Sequence, residues 1–468
     1  MKRVITIAAA LTLATVAAVP MFAARGNADF TRFVALGDSY GAGVESSSLN
    51  LNHQPYSWPA IIARQVGLKV CTPQAAVTDV CFAEPLVSFP GIGNELQLVS
   101  ITGTIAPAPG TGAPIMTTFG RPYNNLAIPG ANVNDLLTLK GTDAATNTPK
   151  AFAQFILRGQ GTAVEQALAQ HPTFIAVWIG GNDLLGAVLS GTTAAITPTP
   201  AFTTAYNALL DALIANAPNA GIVVGNIPNN PLSLPYVTTV PRVLVDPSTR
   251  QPVTVGGQVV PLIADLGGGN IGPLPAGSFV LLPASSKIAT GIGLPPALKA
   301  IPPFNQLPNT GTPLSDTDVL TPSEVAQIVA AADAFNGVIA AAASARNIPV
   351  VDIKGLFDRI AAGQEVIGPL TITSTFATGG AFSLDGFHMT DLGYTLFANE
   401  YIKTINSSWG THIPLASIAT LFQNNDPSQA GASSAEPQFS AEAAKSMLMF
   451  IPQSTFTTPP SRRRATIH

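Results

Sequence analysis

Residues 33–39 read FVALGDS, and this stretch decides the fold. A short apolar run that ends at a glycine is typical of a buried strand followed by a tight turn. Thr173–Ile179, which reads TFIAVWI, is a longer run of the same kind, and Gly221–Val224 and Pro349–Ile353 are shorter ones. Segments with helical spacing separate these runs. The alternation predicts an α/β fold, in which helices cover both faces of a central parallel sheet.

The helical segments differ in how clearly the sequence marks their ends. The best marked begins at Thr321, where an N-cap threonine, Pro322 at the first helical position and Glu324 at the third form a capping box. We expect this Ala-rich helix to run to about Arg346. Tyr123–Ile128 is expected to be a strand or a strand edge. Apolar spacing predicts further helices over Trp58–Val66, Ala151–Gln170, Ala205–Ala217 and Asp391–Ile405.

Composition excludes several classes of protein. Only 10% of the 468 residues are charged, against about a quarter in typical soluble proteins. The net charge of −4 provides no basic surface for nucleic acid and no polybasic patch for anionic lipid. Hydrophobic residues make up 47% of the chain, which excludes wholesale disorder, and 41 glycines and 41 prolines indicate many loops.

The chain divides into three parts by composition. Residues 1–28 contain a short basic start, an apolar run and small residues that suit a signal-peptidase site, so we expect a signal peptide and a secreted or periplasmic protein. An uncleaved membrane anchor is the alternative. No other stretch is apolar for 18 residues, so the mature protein is expected to have no transmembrane segment. Residues 29–423 form the main domain, and residues 424–468 are expected to be a flexible tail.

One segment, about residues 231–320, breaks the α/β alternation because prolines and glycines recur every few positions. We interpret it as a loop-rich insert that covers one edge of the core. Its apolar residues either provide a hydrophobic wall for a substrate or form a small core of the insert, and the sequence does not favour one over the other. They are Leu232, Leu234, Val240, Leu244, Val259, Val260 and Leu262.

The two cysteines, Cys71 and Cys81, lie ten positions apart in one loop-like segment. In an exported protein they are expected to form a local disulfide. A metal site is the less favoured alternative, because Asp79 is the one other ligand type between them.

Polar residues follow three of the expected strands. Ser39 follows residues 33–36, Gly130 follows Tyr123–Ile128, and Asn182 follows Thr173–Ile179. In a parallel sheet these positions meet at one edge, outside the carboxyl ends of the strands, where such folds bind ligands. A serine hydroxyl needs an adjacent base to become a nucleophile.

Among the five histidines, His388 is the best candidate for that base. Asp385 precedes it by three residues, which in a turn lets the carboxylate accept from one ring nitrogen while the other faces the serine. A turn aspartate beside a surface histidine is the alternative. His53 follows the first motif and has no carboxylate near it in sequence. His171, His412 and His468 have no comparable setting.

Donors for a developing oxyanion are also present at this edge. The Asn182 side-chain amide and the backbone N–H groups of Ser39 and Gly130 are expected to converge there. Asn182 as a simple turn residue is the alternative, because Gly-Asn-Asp is favourable turn sequence. We assign Asp38 and Asp183 to structural roles in their loops.

Four sequence blocks together resemble the SGNH (GDSL-type) hydrolase family. They are FVALGDSY at 33–40, NLAIPGA at 125–131, GGND at 180–183 and DGFH at 385–388, and the resemblance covers roughly 31–230 and 321–410. It implies a flavodoxin-like three-layer α/β/α fold and ester hydrolysis through an acyl-serine, without metal or cofactor. By position it implies Ser39 as nucleophile, His388 as base and Asp385 as its orienting acid, with Ser39, Gly130 and Asn182 as oxyanion donors.

The chain departs from this family in two places. Tyr40 stands where the family motif has leucine, which leaves the nucleophile untouched. The insert of about residues 231–320 matches no pattern and leaves the substrate open. We therefore expect an exported esterase or lipase that acts on a small-molecule or lipid ester. A carbohydrate O-acetyl esterase with the same residues and a secreted binding protein without turnover are the alternatives.

Overall fold

The computed structural model describes residues 24–99, 104–229, 233–246, 249 and 251–418. Residues 1–23, which make up most of the expected signal peptide, and the expected tail at 424–468 lie outside these ranges. The strands are β1 (Phe33–Gly37), β2 (Leu96–Leu98), β3 (Ile105–Pro107), β4 (Phe174–Trp178), β5 (Gly221–Gly225), β6 (Thr254–Val255), β7 (Gln258–Val259), β8 (Ile263–Asp265), β9 (Ile271–Pro273), β10 (Phe279–Val280), β11 (Val319–Leu320), β12 (Val350–Val351), β13 (Glu365–Ile367) and β14 (Leu370–Ile372). The helices are α1 (Ser39–Ala42), α2 (Trp58–Gln65), α3 (Asp135–Thr138), α4 (Thr148–Leu157), α5 (Ala163–Ala169), α6 (Asn182–Ser190), α7 (Thr199–Asn216), α8 (Pro235–Thr238), α9 (Ala284–Ala289), α10 (Pro322–Ser344), α11 (Ile353–Ala361) and α12 (Asp391–Trp409).

The centre of the molecule is a four-stranded parallel sheet in the order β1-β4-β5-β12. Every residue of β1, β4 and β5 is buried, as continuous apolar runs in a sheet covered on both faces require. The helices form two groups: α7 packs against α5 and α10, whereas α12 packs against α2 and α11. The expected α/β architecture with three layers is confirmed.

Residues 123–128 extend this sheet without forming a full strand. Ala35 N donates to Asn124 O at 2.9 Å, Leu126 N donates to Ala35 O at 3.0 Å, and Ile128 N donates to Gly37 O at 2.9 Å. The segment therefore lies parallel to the outer edge of β1, and its end reaches the edge of the sheet where β1 also ends.

Four predictions of secondary structure were wrong in their bounds. The helix expected from Ala205 begins at Thr199, and the helix expected to end at Ile405 extends to Trp409. Ala151–Gln170 is not one helix, because Arg158 takes a left-handed backbone conformation that ends α4, and a capping box of Thr162 and Glu165 starts α5. The strand expected over Pro349–Ile353 is limited to β12, because the Asp352 side chain caps α11 and accepts from Gly355 N at 3.0 Å.

The predicted capping box at Thr321 is confirmed and begins α10. Within the described residues, α10 is the one helix that is long and apolar enough to cross a membrane by length and composition. Helices packed in the body of a protein meet the same criterion. Phe335 of α10 stacks on Phe202 of α7 with ring centroids 4.1 Å apart, so α10 belongs to the helical layer.

The insert contains short hairpins and a small hydrophobic core of its own. Leu244, Val260 and Leu262 are buried in that core, whereas Val259 is exposed at the tip of the β6–β7 hairpin. Leu234 instead joins the main core, beside the sheet edge. Leu244, Val260 and Leu262 therefore stabilise the insert, whereas Leu234 lines a pocket at the sheet edge. Leu232 lies outside the described residues.

A buried carboxyl group lies under the edge formed by residues 123–128. Glu84 is fully buried, and its Oε1 accepts from Ser57 Oγ at 2.8 Å and from Asn125 Nδ2 at 3.0 Å. Burial outweighs these hydrogen bonds and raises the pKa of Glu84 to about 7. Because the folded state holds this proton more tightly than the unfolded state, the contribution to stability is full below about pH 4 and is lost as the pH rises towards 7.

We expect Glu84→Gln to remove this pH dependence. Glutamine retains the Oε1 acceptor and never ionises, so the variant gains stability over the wild type from pH 5 to pH 8, by on the order of 2–3 kcal/mol. Thermal unfolding at a series of pH values measures the difference. Glu165→Gln is the matched control, because this exposed capping-box position accepts either residue. A difference between Glu84→Gln and wild type that is constant across pH would contradict the prediction.

Candidate active site

The serine turn lies at the carboxyl end of β1. Ser39 is the first residue of α1, so its backbone N–H has no acceptor within that helix. The Asp38 carboxyl caps the helix by accepting from Tyr40 N at 3.0 Å. Burial raises the pKa of Asp38 to about 8, so at neutral pH a neutral carboxyl lies beside the serine. Asp38 therefore organises the turn as the cap of α1, which is the structural role that we expected.

Asp385 and His388 form a hydrogen-bonded pair in one turn. His388 Nδ1 lies 2.8 Å from Asp385 Oδ2, and Asp385 Oδ1 accepts from the backbone N–H of Phe387 at 3.0 Å and of His388 at 2.9 Å. Burial alone would raise the pKa of Asp385, but His388 and these N–H groups lower it to about 2. Gly386 is required here, because its φ is +80° and a Cβ would lie 2.8 Å from Tyr236 N.

The serine turn and the histidine turn are in direct contact. The Tyr40 hydroxyl donates to Phe387 O, and the Tyr40 ring centroid lies 5.8 Å from that of His388. Ser47 N donates to Asp385 Oδ2 at 2.6 Å. The other ring nitrogen, His388 Nε2, is buried and has no hydrogen-bond partner in the described part of the chain. The arrangement leaves this nitrogen available to accept a proton.

A hydrogen bond from the Asn182 side chain joins the start of α6 to the loop that contains Gly130. Asn182 is the first residue of α6, and its Nδ2 donates one hydrogen to Ala131 O at 3.0 Å. The second amide hydrogen remains for a ligand. Gly130 has a φ of +82°, and a Cβ there would lie 3.2 Å from Pro149 Cδ, so the turn needs glycine.

Asp183, the second residue of α6, also holds the loop that follows Gly130. Its Oδ2 accepts from Val133 N at 3.0 Å, and burial raises its pKa to about 6. Asp183 therefore organises its loop, which is the role that we expected.

A largely apolar pocket opens beside Ser39 and Asn182. Its cavity volume is about 60 Å³, and His388 and Gly130 lie outside its lining. Leu234 contributes to it from the insert. The other apolar side chains of the lining are Trp178, Leu184, Leu185, Val188, Ile227, Pro228 and Phe357.

Three residues that support these turns were not predicted from the sequence. Tyr40 and Ser47 contact the histidine turn, although nothing in the sequence pairs them with residues more than 300 positions away. His53 was described as having no carboxylate near it in sequence, yet Glu45, Glu95 and Asp391 surround its ring at 3.1–3.3 Å. Only Glu45 is local, so spacing carried no signal for this cluster.

A disulfide joins Cys71 and Cys81, whose Cα atoms are 5.1 Å apart. Cys71 N also donates to Phe82 O at 2.9 Å, so the bond closes a loop that backbone pairing already brings together.

Comparison with known proteins relates the chain to ester hydrolases. The family model described as GDSL-like lipase/acylhydrolase matches residues 33–248 and 283–401. A comparison with curated proteins gave no match.

Similar solved structures share low sequence identity with this chain. An extracellular lipase from Streptomyces rimosus is 17% identical, with 80% of this chain and 98% of that chain covered and a TM-score of 0.31. A phospholipase A1 from Streptomyces albidoflavus is 15% identical, with 82% and 100% covered and a TM-score of 0.32. A family 3 carbohydrate esterase from Clostridium thermocellum is 12% identical, with 81% and 96% covered and a TM-score of 0.31.

These TM-scores are too low to carry a conclusion, whereas the family model matches most of the chain. The family model also matches 231–248 and 283–320, so the expectation that the whole insert of about 231–320 matches no pattern was wrong, and the unmatched part is 249–282. The chain therefore belongs to the GDSL-like lipase/acylhydrolase family and is a hydrolase that acts on esters.

Proposed function

We propose that this protein is an exported serine hydrolase that cleaves carboxylic esters through an acyl-serine intermediate. The observation that carries the proposal is the contact between the serine turn and the Asp385–His388 pair. It combines a serine at a helix start, an oriented imidazole and a free ring nitrogen in one place. Non-catalytic binding, the alternative of another class, has no missing catalytic residue to support it.

In this mechanism Ser39 Oγ attacks the ester carbonyl carbon while His388 Nε2 takes the hydroxyl proton. Asp385 fixes the ring tautomer and stabilises the imidazolium that forms. The N–H groups of Ser39 and Gly130 and the Asn182 amide donate to the tetrahedral oxyanion. His388 then protonates the departing alkoxide. Water, deprotonated by His388, attacks the acyl-serine, and His388 returns this proton to Ser39 Oγ as the acid is released.

The pocket favours an apolar acyl group as substrate. Most of its lining is hydrophobic, and it adjoins Ser39, where the acyl group becomes attached. Burying each methylene of a chain in such a pocket contributes about 0.8 kcal/mol. We therefore assign esters of medium-length fatty acids as the preferred class, ahead of acetyl esters of carbohydrates.

A panel of p-nitrophenyl esters from acetate to palmitate tests this assignment. We expect kcat/KM to rise from acetate to the medium chains by about tenfold or more. Leu185→Trp, which fills the pocket, should lower the rate on medium chains and leave acetate within about twofold. Leu189→Trp is the matched control, because Leu189 lies on the same helix but is not among the residues that line the pocket. A strong preference of the wild type for acetate would favour the carbohydrate O-acetyl esterase instead.

Export is proposed from the composition of residues 1–28, and the Cys71–Cys81 disulfide supports it because such bonds persist in oxidising compartments. Mass spectrometry of protein recovered outside the cytoplasm of a bacterial host tests it. Removal of roughly the first 28 residues is expected, and an intact N-terminus would contradict a cleaved signal peptide.

A further inference from the structure

His53 lies among three carboxylates that come from different parts of the chain. Its Nδ1 is 3.2 Å from Glu45 Oε2 and 3.1 Å from Asp391 Oδ1, and its Nε2 is 3.3 Å from Glu95 Oε2. The imidazole side chain is 16% exposed. Because carboxylates face both ring nitrogens, only the doubly protonated ring donates on both sides.

The net charge of His53 and its three carboxylates depends on whether the imidazole carries one proton or two. Burial alone would lower the pKa of His53, but the ion pairs with Glu45 and Asp391 and the hydrogen bond to Glu95 raise it well above its ordinary value. Glu45 Oε2 is buried and has no hydrogen-bond partner by strict geometry in the described residues. Burial, with Asp391 and Glu95 nearby, raises the pKa of Glu45 well above its ordinary value, and the charge of the His53 imidazolium opposes that shift.

Glu45 begins a tight turn that reaches the candidate active site. Glu45 N donates to Ser48 O at 3.0 Å and Ser48 N donates to Glu45 O at 2.9 Å, which closes the turn Glu45–Ser48. Between them Ser46 and Ser47 have φ values of +50° and +64°. A left-handed backbone is unfavourable for a residue with a side chain and persists where its surroundings hold it.

This turn holds the acid of the candidate triad. Ser47 N donates at 2.6 Å to Asp385 Oδ2, the oxygen that also accepts from His388 Nδ1 at 2.8 Å. Ser46 N donates at 2.8 Å to Ser383 Oγ in the same loop. A shift of the turn would therefore move Asp385 relative to His388.

Asp391, the third carboxylate around His53, lies close to His388 in sequence. Asp391 is the first residue of α12 and follows His388 by three positions. His53 thus connects the turn that orients Asp385 with the helix that follows His388, and Glu95 adds a link to the segment that precedes β2.

We propose that His53, in its imidazolium form, is a positioning residue for the proposed ester hydrolysis. Its ion pairs hold the turn Glu45–Ser48 against Asp385 and thereby keep the Asp385–His388 hydrogen bond aligned. It acts through these groups and does not touch the substrate. The inference rests on the proposed function, because alignment of the pair matters through catalysis.

The test compares His53→Gln with Arg359→Gln. Arg359 also pairs with two carboxylates, Glu365 at 3.0 Å and Glu400 at 2.7 Å, but makes no contact with the serine or histidine turns. We expect His53→Gln to lower kcat on p-nitrophenyl butyrate by about 10- to 100-fold with KM within about twofold, at temperatures well below its Tm. Arg359→Gln should lower Tm and leave kcat within about twofold.

A second readout does not depend on turnover. The proton shared by Asp385 and His388 gives a far-downfield ¹H NMR resonance in a well-aligned pair, and we expect it to shift upfield or disappear in His53→Gln but not in Arg359→Gln. Unchanged kcat and an unchanged resonance in His53→Gln would overturn the proposal, as would equal losses in both variants. If the wild type hydrolyses none of the esters, the proposed function fails, and the resonance still tests the role of His53.

A divalent cation bound by Glu45, His53 and Asp391, in place of a proton on the His53 ring, would be a different explanation of this cluster. EDTA and added CaCl2 or ZnCl2 are therefore expected to leave the Tm and the kcat of the wild type unchanged. A saturable rise in Tm with either salt that His53→Gln abolishes would assign the cluster to a cation and overturn the ion-pair role.

Discussion

Ser39→Ala is expected to lower kcat/KM for a soluble ester by at least about 10⁴-fold. The reason is chemical, because alanine provides no oxygen to form the acyl intermediate, while the oxyanion donors and the pocket remain. The residual rate over water comes from those donors and from binding. Initial rates on p-nitrophenyl butyrate, with the protein purified free of host esterases, measure the loss.

The Ser39→Ala variant should remain folded. The Ser39 side chain makes no hydrogen bond within the described residues, and the caps of α1 come from Asp38 and Gly43. We therefore expect a Tm close to that of the wild type and an unchanged circular dichroism spectrum. Activity within tenfold of the wild type would exclude Ser39 as the nucleophile.

Asp385→Asn is expected to lower kcat by about 10⁴-fold. Asparagine is nearly isosteric with aspartate, but its amide would present a donor or a neutral oxygen where His388 Nδ1–H and Ser47 N–H both need a charged acceptor. The histidine then loses its fixed tautomer and the stabilisation of its imidazolium. Steady-state kinetics should show the loss in kcat, because binding in the pocket is unaffected.

Asp385→Asn also tests how much the charged carboxylate contributes to the stability of the folded state. The pKa of Asp385 is lowered to about 2, so its charged form stabilises the fold above about pH 4, and this contribution is lost as the pH falls towards 2. Asp385→Asn should therefore unfold at a lower temperature at pH 7. Asp358→Asn, which removes an exposed ion pair with Lys354, is the control and should change neither kcat nor Tm appreciably. An Asp385→Asn enzyme with more than about a tenth of wild-type kcat would contradict the assigned role.

The sequence predicted the parts of the fold that depend on local pattern. Buried runs such as Thr173–Ile179 must form strands wherever helices cover both faces of a sheet, and the capping box at Thr321 satisfies helix ends by itself. The edge segment at 123–128 was recognisable as apolar, but its pairing with β1 depends on partners distant in sequence.

The sequence also predicted that Ser39, Gly130 and Asn182 follow segments that end at one edge of the sheet, because parallel strands share that edge. Their catalytic roles stay predictions. The sequence did not predict α6 as the element that begins at Asn182, since glycines and aspartate are equally typical of a turn. The split between α4 and α5 depends on a left-handed Arg158, which no propensity favours.

The supporting contacts of the candidate site were beyond sequence reasoning. Tyr40 reaches Phe387 and Ser47 reaches Asp385 across more than 300 positions, and both contacts exist because the first and last thirds of the domain pack together. The carboxylates around His53 come from three segments for the same reason. Spacing identifies pairs within one turn, such as Asp385 and His388, and carries no information about pairs that only the tertiary fold creates.

Covalent trapping tests the central claim most directly. The full chain, incubated with diisopropyl fluorophosphate, is expected to gain one adduct that peptide mass spectrometry places on Ser39, with loss of ester hydrolysis in proportion to labelling. Ser39→Ala should gain none. An adduct on another residue, or ester hydrolysis that persists after Ser39 is fully labelled, would contradict an acyl-serine mechanism at this site.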